Sequence, residues 1–122
     1  MLNSKGKGQI LASEADRFKE LKDYIDVNLQ NDLTVMHLAN LMGQSIANFK
    51  RYFIAVYGIS PGKYVHDARM EKAHELLSQH TYQISEVSEL VGYTDRTSFS
   101  RAFTKHFGYT PQALFNDGQS QF

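Results

Sequence analysis

Arg96, Thr97, Ser100, Arg101 and Thr104 fall at spacings that place them on one face of an α-helix, and every one can donate a hydrogen bond. Two guanidinium forks among hydroxyls suit phosphate oxygens and flat pairs of acceptors, and Lys105 adds a point charge beside them. A thinner version stands earlier in the chain, where Ala47, Lys50 and Arg51 share a helical face with Ile54. The formal net charge is zero, with 13 basic and 13 acidic residues, yet no carboxylate lies between Gly43 and His66 or between Arg96 and Asn116. A neutral chain that segregates its charge in this way can still present a positive stripe, because local potential governs binding within a Debye length.

Other chemistries find no support. No nucleophile with a plausible base, no phosphate loop and no paired-carboxylate site emerges, so an enzyme is not expected and no cofactor is implied. The chain has no cysteine, which excludes thiolate zinc ligation and disulfides and fits a reducing compartment. Its five histidines, His37, His66, His74, His80 and His106, contain no i, i+4 pair, so no metal site is expected. No run of about 18 apolar residues suggests a membrane span. The aromatic residues lie at helical spacing on apolar stripes and read as core rather than as stacking platforms for bases.

The elements that must position the polar faces are legible through an internal repeat. Val35, Leu38, Leu41 and Gly43 superpose on Ile84, Val87, Leu90 and Gly92 at an offset of 49. After a slip of one residue, Phe49, Arg51, Phe53, Tyr57, Gly58 and Pro61 superpose on Phe99, Arg101, Phe103, Phe107, Gly108 and Pro111 at an offset of 50. Each copy reads as helix, turn, helix. In the first, Thr34 caps a helix whose stripe is Val35, Leu38, Ala39 and Leu41, and Gly43 makes the turn. A second helix starts near Ser45 with Phe49, Tyr52, Phe53 and Val56 as its apolar side. In the second copy Ser88 takes the place of Ala39, Gly92 makes the turn, and a helix restarting at Thr94 or Asp95 buries Phe99, Ala102, Phe103 and Phe107. A small residue four positions before a glycine lets the second helix cross the first closely.

Ser60 with Pro61 and Thr110 with Pro111 each announce a further helix. The expected architecture is therefore all-α, with about seven helices: two helix-turn-helix subdomains, about 13–60 and 80–116, joined by a central linker helix over about 61–79. That helix would be roughly 28 Å long at about 1.5 Å per residue, near the roughly 34 Å that separates successive major grooves on one face of B-DNA. Residues 1–12 read as a flexible arm or linker remnant and 117–122 as a tail, with an amphipathic first helix starting at a capping box of Ser13 and Asp16.

Gly92, Tyr93, Asp95, Ser98, Phe99, Ser100, Arg101, Phe103, Lys105, Phe107, Gly108, Thr110 and Pro111 form a run that resembles the signature of the AraC/XylS family of bacterial regulators. The resemblance covers about residues 13 to 116. It implies sequence-specific binding of double-stranded DNA and transcription regulation in the cytoplasm, with two helices in adjacent major-groove segments. It leaves room for an N-terminal effector or dimerisation domain outside this chain, and the doubled reading unit leads us to expect promoter recognition with activation through contact with RNA polymerase. Carried over by position, Ala47, Lys50 and Arg51 face bases from the first reading helix, and Arg96, Thr97 and Arg101 from the second, with Ser100 on the same face. Ser45, Thr94 and Lys105, with amides at helix starts, would hold phosphates. Two departures stand out: Ile54 and Ala55 occupy places where the family commonly has cations, and Phe115 and Asn116 replace its frequent Tyr and Arg.

Overall fold

The computed structural model describes the backbone of residues 7–119 and the side chains of residues 14–117. Within them lie seven helices and no strand: α1 (Lys7–Val27), α2 (Val35–Leu41), α3 (Ile46–Tyr57), α4 (Pro61–Ser78), α5 (Ile84–Leu90), α6 (Arg96–Phe107) and α7 (Pro111–Gln119). Contacts group α1–α3 and the start of α4, to Tyr64, into one unit. Residues Leu29–Asp32, the rest of α4, and α5–α7 form the other.

In the first unit Phe18 of α1 is the hub. Its ring stacks on Phe49 at 6.4 Å and meets Phe53 edge-on at 6.2 Å, and all three side chains are fully buried. Each such burial contributes about 1.5–3 kcal/mol. The Tyr57 hydroxyl donates to the Phe18 carbonyl at 2.7 Å, tying the end of α3 to α1. Helix α2 begins as expected at Thr34, whose hydroxyl oxygen accepts from the His37 amide at 3.1 Å.

The second unit repeats this construction with α4 in the place of α1. Met70, Ala73, Leu76 and Leu77 of α4 close over Ile84, Val87, Val91, Phe99 and Phe103. Gly92 has a positive φ of 93°, and a Cβ there would collide with the Leu29 carbonyl oxygen and lie 2.9 Å from the Arg69 guanidinium. Glycine is thus required twice over, by conformation and by space. Arg69 braces the same spot, donating to the carbonyls of Leu29 at 3.1 Å and Asn31 at 2.8 Å. These bonds give Arg69 a structural role.

Five helices differ in detail from the sequence expectation. Helix α1 is already under way at Lys7, so Ser13 lies inside it and is not its cap; the apolar period continues back through Leu11, seven residues before Phe18. The expected arm of residues 1–12 therefore lies partly in α1 and partly outside the described residues, and α7 continues through Gln119 into the expected tail. Leu41 and Leu90 are 49% and 41% exposed, while Met42 and Val91 are buried in their stead. The stripe from Val35 or Ile84 runs i, i+3, i+4, i+7, which selects Met42 and Val91 at the helix C-caps. Tyr52 and Val56 are about half exposed, whereas the rings of Phe49, Phe53 and Tyr57 meet Phe18 of α1.

Candidate nucleic-acid interface

Helices α3 and α6 are built to one plan. Ser45 caps α3 by accepting from the Asn48 amide at 3.2 Å, and Asp95 caps α6 by accepting from the Ser98 amide at 2.7 Å. Both helices end on a left-handed glycine, Gly58 or Gly108, whose N–H bonds the carbonyl four residues back. The small residues needed at the crossings are buried, Ala39 in α2 and Ser88 in α5, and the Ser88 hydroxyl reaches the Asp95 carbonyl at 3.5 Å. The turn between Gly92 and Asp95 has one residue more than that between Gly43 and Ser45, which accounts for the slip in the repeat.

The faces left outside differ. On α6, Arg96, Thr97, Ser100, Arg101, Thr104 and Lys105 line one open concavity. Arg96, Thr97, Arg101 and Lys105 are exposed and Ser100 half-buried. Arg96 Nη2 donates to Gln112 Oε1 of α7 at 3.5 Å, and Gln112 Nε2 donates to Asn116 Oδ1 at 2.8 Å, so a side-chain relay leans on the first guanidinium. The Thr104 hydroxyl donates to the Ser100 carbonyl at 2.7 Å, one turn back in the helix. On α3, Ala47, Lys50 and Arg51 are exposed together with Ile46, Ile54 and Ala55. Arg51 donates to Asn48 Oδ1, and its guanidinium carbon lies 5.6 Å from the Tyr52 ring centroid.

The helix starts also differ electrically. The Ser98 amide, then the Ser98 hydroxyl, hold the Asp95 carboxyl below its ordinary value, and the charge of Arg101 adds to this. A carboxylate at the positive end of α6 is favourable for the helix, but its charge opposes an incoming phosphate there. Thr94, exposed just before it, keeps its side chain available at that end. Ser45 caps α3 without charge, and so leaves that end attractive to an anion. Each expected contact residue thus lies at an outer face or start of α3 or α6, in two separate groups. Sequence reasoning passed over Asn48 and Gln112, whose only signal was an amide three residues from Arg51 or next to Pro111.

A family model described as a helix-turn-helix domain matches residues 38–117. The solved C-terminal domain of AraT, a response regulator from Geobacillus stearothermophilus, has a similar fold, with TM-score 0.76 and 32% identity over 81% of this chain and 83% of that one. An AraC-type regulator from Chromobacterium violaceum superposes with TM-score 0.73 at 25% identity, covering 85% of this chain and 93% of that one. The chain belongs to the helix-turn-helix domain family, in its AraC type. The Chromobacterium violaceum protein is described as a transcriptional regulator with an AraC-type DNA-binding domain. Among sequence relatives of this AraC-type chain, the lactose operon transcription activator of Staphylococcus xylosus is 36% identical over 85 residues, 70% of this chain and 30% of that protein. The chain spans 30–39% of the length of curated relatives such as this one. No helix among the described residues is long and apolar enough to cross a membrane.

Proposed function

We propose that this AraC-type domain reads double-stranded DNA with α3 and α6 in adjacent major-groove segments, and that α6 supplies most of the sequence discrimination. The observation that carries this reading is the concavity of α6, where two arginines, a lysine and three hydroxyls converge with no carboxylate among them. Arg96 and Arg101 have the fork geometry that pairs with guanine O6 and N7, while Thr97 and Ser100 can donate or accept at base edges. Lys105 and Thr94 hold phosphates beside α6, and Ser45 with the uncharged start of α3 holds them in the first unit. Ala47 and Lys50 with Arg51 form the weaker reading face, and Ala47 suits a thymine methyl.

The activity in the cell follows as regulation of transcription in a bacterial cytoplasm, in the direction of activation through contact with RNA polymerase. The names of longer relatives, activators among them, support this direction. In such a protein the remaining length would carry an effector or dimerisation domain outside this chain.

Binding to a random duplex as salt is raised tests the DNA reading. We expect log affinity to fall linearly with log salt, with a slope reporting several phosphate contacts at about 0.9 per contact. Absence of salt-dependent binding would point instead to a helical module that binds protein.

A further inference from the structure

The second unit brings two imidazoles and a carboxylate together from different helices. His66 and Asp67 are neighbours in α4, and His106 stands in the last turn of α6; one donor atom from each lies within 4.8 Å of the others, and all three side chains are half-buried. His106 Nδ1 is 3.8 Å from Asp67 Oδ1, and the His66 and His106 rings meet edge to face with centroids 5.6 Å apart.

Two borderline nitrogens and one carboxylate oxygen form a donor set that suits first-row transition metals, zinc above all, with water completing the coordination. Zinc–ligand bonds of about 2.0–2.1 Å put donors in a tetrahedron roughly 3.3 Å apart, so the groups would have to close by about 1.5 Å. Half-exposed side chains can cover that by rotation about their own bonds. We propose that His66, Asp67 and His106 form a binding site for a divalent transition metal of the zinc class, which pins the last turn of α6 to α4. This does not depend on the DNA reading. The repeat makes the site a property of the second unit, because the counterpart of His106 in α3 is Val56. A search for i, i+4 histidines could not find it, since the imidazoles sit on separate helices.

The test is titration of zinc chloride into the chelator-treated, untagged chain, followed by calorimetry and by thermal melting in circular dichroism. We expect saturable binding of one equivalent and a raised Tm, with His66→Gln and His106→Gln each weakening binding by at least about tenfold and His37→Gln leaving it unchanged. The His106 ring packs on Phe107, so should His106→Gln lose its helical spectrum, the double variant His66→Gln with Asp67→Asn decides the outcome. No saturable binding by the natively helical wild-type chain, or binding that survives loss of His66 and Asp67, would overturn the proposal.

Discussion

Helices α3 and α6 are twelve residues each, capped by a hydrogen-bonding side chain, anchored by two fully buried phenylalanines and closed by a left-handed glycine. Residue by residue, Ile46, Ala47, Ile54 and Ala55 of the first stand where Arg96, Thr97, Thr104 and Lys105 stand in the second. The inner faces of the two helices have been kept alike while their outer faces have diverged. A helix-turn-helix therefore holds two separable specifications: positions i, i+4 and i+8 from Phe49 or Phe99 decide that the helix docks, and the positions between them decide what it reads. Retaining the first while relaxing the second gives one polar, cationic outer face and one on which Lys50 and Arg51 stand among Ile46, Ala47, Ile54 and Ala55.

That comparison can be broken most severely at the shared scaffold. Phe53→Ala and Phe103→Ala each remove a fully buried ring from the middle of an aromatic cluster, and each should cost about 3–5 kcal/mol in urea unfolding followed by circular dichroism. A cost in one unit less than half that in the other would mean that the two scaffolds are not equivalent. The outer faces come next. Arg101→Ala should weaken binding to a preferred duplex by about 1–3 kcal/mol and relax preference at one base position, measured by anisotropy at fixed salt. Arg51→Ala should cost less, because only Lys50 accompanies it as a cation; an equal or larger loss would reverse the ranking of the two readers.

The smallest effects concern the caps. Ser45→Ala removes a neutral cap and should lower stability by about 1 kcal/mol at every pH, seen as a shift of the urea midpoint. Asp95 behaves differently because its carboxyl is held below the usual value of 3.8 by Ser98. Its contribution is fully present above that value and is lost as pH falls through the depressed one. The stability difference between the wild type and Asp95→Ser should therefore shrink on acidification below about 3.8, whereas a difference that stays constant would show that the Asp95 charge plays no part.

Much of this fold is legible in the sequence because it is written twice. The repeated small residue, glycine and phenylalanines determine both crossings, and Thr34, Ser45, Asp95, Pro61 and Pro111 mark where helices begin. The outward placement of Leu41 and Leu90 was not legible from apolarity alone; it depends on where α2 and α5 end, which brings Met42 and Val91 onto the core side. The polar face of α6 follows from spacing. The roles of Asn48 and Gln112 do not, since one acts only through the guanidinium of Arg51 and the other is brought to Arg96 from α7 by packing. The meeting of His66, Asp67 and His106 likewise arises from two helices that share a core, and has no signature along the chain.

The inequality of the two readers is tested most directly by selecting bound sequences from a random duplex pool and measuring the information at each position. The two outer faces predict two half-sites about one helical turn apart, the half read by α6 carrying the sharper preference and losing it in Arg101→Ala. A single compact site, or a bipartite site whose sharper half is lost in Arg51→Ala and not in Arg101→Ala, would contradict it.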